Sequence, residues 1–206
     1  LNLQALRKNI GCVLQDGKLF QGDILSNILV ASPNLDMKDA WKAARLAHID
    51  KDIESMPMGM HTYICEGGGG GVSGGQTQRI LIARALVGNP KLLIFDEATS
   101  ALDNITQKKI SDSLDSLNCT RIVVAHRLST IKNCNRIVFI KDGKIAEEGT
   151  YDQLISKNGD FAELVAHQML LEINVTTQSL NFFQYSGKSF GLLCTFTAIV
   201  EKLPRI

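Results

Sequence analysis

The chain has 206 residues, 45% of them hydrophobic, which is enough for one ordinary globular domain with a real core. Its 22 basic and 21 acidic residues leave a net charge of +1, so there is neither the basic stripe of a nucleic-acid binder nor an acidic solvating tail. Five cysteines (Cys12, Cys65, Cys119, Cys134 and Cys194) show no C-x-x-C spacing, which argues against a cysteine metal site and fits free thiols in a reducing compartment.

Ile10 to Leu14 reads as a short buried strand running into a turn at Gln15-Asp16-Gly17. Ile24 to Val30 and Asp36 to Ile49 read as helices. The second opens on Asp36 as N-cap with Asp39 three residues on, and Ala40, Ala43, Ala44 and Ala47 give it a small-residue face. Pro57 and Gly59 break regularity. Five glycines at 67–71 lead into Val72-Ser73-Gly74-Gly75-Gln76, then a helix over Gln76 to Val87 that stops at Gly88-Asn89-Pro90. Lys91 to Phe95 is a continuous apolar run, as in a parallel strand buried on both faces, and it ends in Asp96-Glu97. A polar helix, Asn104 to Leu117, separates it from a second such strand, Arg121 to Ala125. Arg136 to Ile140 is a third strand, turned at Asp142-Gly143 into Lys144 to Glu148. Thr150 caps a helix, and Phe161 to Gln168 forms another. From Met169 the pattern fades and predicts no element. No basic-then-apolar leader is visible, and the apolar stretch around Gly191 to Val200 is too short to span a bilayer. Strands alternating with helices imply an α/β layered domain with a mostly parallel sheet.

Four local signals carry chemistry. An apolar strand ending in Asp96 and Glu97 is how nucleotide hydrolases place carboxylates beside Mg²⁺ and the attacking water. Asp96 would then serve the metal and Glu97 act as general base. A strand that simply ends at a solvated acidic turn looks the same. Ser73 to Gln76 at a helix start offers a cap, free amides and a helix dipole to an anion, although a glycine linker before an ordinary helix reads alike. His126, after the strand Arg121 to Ala125, could hydrogen-bond a terminal phosphate oxygen or be structural. Gln15, after the first strand, could orient water or a metal ligand, and alone means nothing.

Taken in order, Gln15, Val72–Gln76 (V-S-G-G-Q), Leu92–Glu97 (L-L-I-F-D-E), Ser100–Asp103 (S-A-L-D) and Ala125-His126-Arg127 resemble the ATP-binding-cassette ATPase family over about residues 1–168. The wording L-Q-D-G-K-L-F-Q-G-D-I-L-S-N-I is similar to its exporter branch, bacterial peptide or bacteriocin exporters in particular. The resemblance implies a partial P-loop NTPase core with an inserted helical subdomain at about residues 16–88, and a tail, 169–206, outside it. It implies ATP and Mg²⁺ as cofactors. It also implies hydrolysis coupled to export at the cytoplasmic face of a membrane, a second ATPase domain bound head to tail, and a transmembrane domain, without nucleic acid.

By position, Gln15 resembles the glutamine that senses Mg²⁺ and contacts the membrane domain. Ser73, Gly74, Gly75 and Gln76 resemble the signature loop that clamps the γ-phosphate of ATP held by the opposite subunit. Asp96 resembles the magnesium-associated aspartate, Glu97 the catalytic glutamate, Asp103 the acid communicating across the dimer, and His126 the switch histidine. Glu66 resembles an acid that couples to the membrane domain.

Three departures matter. No G-x-x-x-x-G-K-[ST] loop occurs in the chain, so the amides and lysine that cradle the β- and γ-phosphates are expected to be missing by N-terminal truncation. A non-catalytic remnant that lends only its signature face to a complete partner is the alternative. The missing part is also expected to leave Leu92–Phe95 and Arg121–Ala125 with open apolar edges. Glu66 stands seven residues before Ser73, so one glycine reads as inserted; Thr77 stands where the family usually has arginine or a similar polar residue, and Val72 replaces the usual leucine.

Overall fold

The computed structural model describes residues 2–65, 71–98, 101–125, 128–132, 134–178 and 197–202. They belong to two compact units divided between Val123 and Val124.

The first unit opens with helix α1 (Leu3–Lys8), which has no buried residue, and strand β1 (Ile10–Val13). A two-residue strand, β2 (Gly22–Asp23), precedes α2 (Ile24–Leu29), α3 (Met37–Leu46) and α4 (Asp50–Ser55). β3 (Tyr63–Ile64) returns antiparallel to β2. Neither strand is long enough to show a period in the sequence. α3 is shorter than expected. The capping box of Asp36 and Asp39 forms, but His48 takes a left-handed φ of 53° and ends the helix before Ile49.

Helix α5 (Gly74–Leu86) is the beam of this unit. Ile80, Leu81, Ile82, Ala83, Ala85 and Leu86 are all buried, as in a helix enclosed on most sides. The alanine face of α3 allows close approach: Ala40 and Ala44 are fully buried and lie in one apolar cluster with Ile24, Ile28 and Ile80. α5 ends at Gly88-Asn89-Pro90, where Asn89 rather than the glycine takes the left-handed φ, 54°. Strand β4 (Leu92–Asp96) runs parallel to β1 in the register Ile10↔Leu92 to Val13↔Phe95. α6 (Asn104–Asp115) follows, then β5 (Thr120–Ala125), which neighbours β4 on its other side. β4 therefore has partners on both sides, and the open edge expected at Leu92–Phe95 is not found.

The second unit holds α7 (Leu128–Ile131) and the hairpin β6 (Arg136–Lys141) and β7 (Lys144–Gly149). Asp142 and Gly143 both have positive φ, 52° and 72°, as a type I′ turn requires. α8 (Tyr151–Ser156) starts at a Thr150–Gln153 capping box. Phe161, fully buried, meets Phe139 and Tyr151 edge to face, each with ring centroids 6.0 Å apart. α9 (Asp160–Gln178) runs ten residues past Gln168, because no glycine or proline stops it. β8 (Thr197–Lys202) pairs antiparallel with β6, Arg136 opposite Glu201. Both features lie in the stretch for which the sequence pattern predicted nothing.

Candidate functional site

β1 and β4 leave the sheet on the same side, because they are parallel and in register. That alone brings Gln15 and Glu97, 82 residues apart in sequence, within reach: Gln15 Nε2 donates to Glu97 Oε2 at 3.2 Å. The bond uses the amide nitrogen and leaves Oε1, a hard oxygen donor, for a cation. Asp96 is the last residue of β4, partly buried beside Glu97. Burial first, and the Asp96 carboxylate second, push the Cys12 thiol above its ordinary pKa. Glu97 has a φ of 47°, in the left-handed region that a non-glycine residue rarely enters. Such strain, of order 1–3 kcal/mol, concentrates at functional sites. Here it turns the glutamate out of the strand line and toward Gln15.

The second constellation is the start of α5. Ser73 caps the helix: its hydroxyl oxygen accepts from Gln76 N at 3.2 Å while Gln76 Oε1 accepts from Ser73 N at 2.9 Å. The remaining first-turn amides face an exposed end. Gly74 has open space around it: a Cβ built there would meet nothing within 4 Å. The fold itself thus has no steric need for glycine at 74, which suits a surface that a ligand or another backbone approaches closely.

Gln76 is also tied inward. Its Nε2 donates to Asp52 Oδ1 at 2.9 Å, and Arg79 donates to both Asp52 oxygens at 2.8 and 3.2 Å and to the carbonyl of His48 at 2.6 Å. Partial burial alone would raise the Asp52 pKa. The hydrogen bond from Arg79, with that from Gln76, outweighs it and holds the carboxyl below its usual range. His48 Nε2 in turn lies 2.8 Å from Ser113 Oγ and 3.1 Å from Lys109 O on α6. Buried Gln78 accepts from Ala101 N at 3.0 Å, fixing the segment that leads to Asp103. Asp103 itself caps α6, accepting from Ile105 N and Thr106 N at 3.0 and 2.9 Å. The hydrogen bonds from Thr106 and the neighbouring amides lower its pKa.

Among the expected site residues, the structure joins Gln15 to Glu97 and Ser73 to Gln76, and gives Asp103 a capping contact. His126, with Arg127, Glu66, Gly67 to Gly70 and Ser100, lies outside the described residues. Sequence reasoning missed Asp52, Arg79 and Gln78, whose distant partners lie 23 to 31 residues away and leave no local signal. Among the described residues, no three His, Cys, Asp or Glu side chains converge as a metal cage, and no helix is long and apolar enough to cross a membrane.

The profile of the ABC transporter family matches residues 1–100. The chain is 47% identical over 167 residues to ABC transporter B family member 14 of Arabidopsis thaliana, covering 80% of this chain and 13% of that protein. It is 50% identical over 154 residues to the alpha-hemolysin translocation ATP-binding protein HlyB of Escherichia coli O157:H7, covering 74% of this chain and 22% of that one. Among solved structures it is similar to a bacterial Atm1-family ABC exporter with ATP bound, with a TM-score of 0.74 and 38% identity over 79% of this chain and 28% of the other. In each case the chain spans less than a third of the protein it matches.

Proposed function

This chain belongs to the ABC transporter family, and from that premise we propose that it is the ATPase segment of an exporter whose whole polypeptide couples ATP binding and hydrolysis to transport across a membrane. The observation that carries this reading is the Gln15–Glu97 hydrogen bond, made where two parallel strands end beside Asp96. Glu97 is the general base for the attacking water, and Gln15 holds its carboxylate in place. Asp96 and Gln15 Oε1 are the two protein groups that would face Mg²⁺. Two oxygen donors suit an ion that takes most of its ligands from water and phosphate, and the ion's chemistry is to neutralise charge developing on the phosphates.

The exposed, capped start of α5 is the natural place for a terminal phosphate, which the Gly74 and Gly75 amides would hold. This chain's own sequence contains no G-x-x-x-x-G-K-[ST] loop to cradle the rest of the nucleotide. On this reading a second ATPase domain is the expected partner, and a membrane-spanning domain the expected effector. The segment would then work at the cytoplasmic face of a membrane. Catalysis here is mostly positioning and charge stabilisation.

The test uses the polypeptide that carries this chain together with a phosphate-binding loop. Glu97→Gln keeps an oxygen to accept from Gln15 but removes the base, and kcat for ATP hydrolysis should fall by about 10²–10⁴ with the melting temperature unchanged. Hydrolysis that continues at the original rate would remove Glu97 from the mechanism.

A further inference from the structure

The loop that carries Gln15 is fastened to α5 largely by one side chain. Arg84 lies about three turns along the helix from the Ser73 cap. Its Nε donates to Asn27 O at 2.8 Å, one terminal nitrogen to Asn27 Oδ1 at 2.7 Å, and the other to Lys18 O at 3.2 Å. The guanidinium sits 4.9 Å from the centroid of the Phe20 ring. All these partners are neutral. Burial lowers the Arg84 pKa, the direction expected for a cation partly withdrawn from water.

Asn27, only 1% exposed, extends the clamp: Nδ2 donates to Phe20 O and Asp23 O, both at 2.9 Å, and Oδ1 accepts from Phe20 N at 2.8 Å as well as from Arg84. Closer to Gln15, the loop rests directly on the helix, since a Cβ at Gly17 would come within 3.0 Å of Leu81 Cδ1. Even a half-buried cation facing neutral acceptors carries a desolvation cost. An apolar side chain would fill the same space without that cost. What arginine alone offers is a planar fork that reaches three acceptors in fixed directions and stacks on a ring.

We propose that Arg84 is the positioning residue of the Gln15 loop: it locks residues 18–20 to α5, so that Gln15 and the Ser73 end of the helix are held as one rigid body. Its importance for catalysis rests on the ATPase reading above. Its geometry does not, and the test needs no nucleotide. Amide hydrogen exchange is measured on the 206-residue chain and on Arg84→Lys, which keeps the charge but loses the fork. Gly17 N, bonded to Leu14 O, and Phe20 N, bonded to Asn27 Oδ1, report on the loop. Amides of Ile80 to Ala83 in α5 and of β1 report on the unit as a whole.

The expected result is exchange about tenfold faster or more at Gly17 and Phe20, with little change at the reference amides. Unchanged loop exchange, or equal acceleration everywhere, overturns the proposal, because Arg84 would then be idle or merely structural. Arg84→Leu, which fills the space without charge, provides a second variant and should loosen the same two amides. Failure of both variants to fold also overturns it. If the exchange pattern appears while the Glu97→Gln enzyme keeps its activity, the clamp is real and the catalytic reading is what fails.

Discussion

Each candidate side chain answers to a different constraint. Glu97 faces Gln15 from a left-handed backbone that His, Asn and Asp enter more readily than Glu does. Gly74 is the opposite case: no neighbour within 4 Å requires it. Gly74→Ala should therefore leave the melting temperature unchanged or raise stability by about 0.5 kcal/mol, yet lower ATP hydrolysis of the paired domains at least tenfold. A clear fall in melting temperature would mean that the glycine serves the fold instead. Asp103 is legible as a site residue only through the company it keeps in S-A-L-D. By itself it is a helix cap, and the contacts to Ile105 and Thr106 account for its lowered pKa without any partner.

At the level of elements, the unit depends on how closely α5 can approach β1 and the helical segment. A Cβ at Gly11 would lie 2.3 Å from the backbone oxygen of Ala85, so strand and helix touch there through backbone. Gly11→Ala must push them apart and should cost about 1–3 kcal/mol, read as a drop in the denaturant midpoint at unchanged slope. The Asp52 contacts join α4 to α5. Its carboxyl has a lowered pKa in the folded state, so its contribution is fully present above the unfolded carboxylate pKa, about 3.9, and is lost as pH falls through the lower folded value. Asp52→Asn should thus melt below the parent chain by a constant margin between pH 5 and pH 8, on the order of 1 kcal/mol for a pair this exposed. The two curves should converge at pH values below about 4. A margin that persists in acid would show that charge is not the cause.

Taken whole, the 206 residues bring together two parts of the proposed nucleotide site. The Gln15–Glu97 pair and the α5 start are formed, but no phosphate-binding loop is encoded in the 206 residues. Calorimetric titration of the isolated chain with Mg-ATP should show no saturable binding below about 1 mM, and micromolar binding would mean that these residues cradle a nucleotide without that loop. The elements with a strong period, β1, α5, β4 and the β6–β7 hairpin, could be read directly from the chain, because burial imposes period on sequence and capping and turn residues mark the ends. So could membership of the ABC transporter family, because Gln15, Ser73 to Gln76, Asp96, Glu97 and Asp103 stand in a characteristic order. The two-residue strands β2 and β3, the break at His48, the extension of α9 and the pairing of β8 with β6 could not. Apart from the α9 extension, each is settled by partners far away in sequence rather than by a local pattern. The same holds for the contacts that make the site rigid. Asp52 with Gln76 and Arg79, Gln78 with Ala101, and Arg84 with Asn27 and Lys18 are all long-range hydrogen bonds of ordinary polar residues. The sequence by itself determined the family and named the candidate residues; only the tertiary structure decided which of them meet, because a hydrogen bond across 82 residues leaves no trace in the order of the chain.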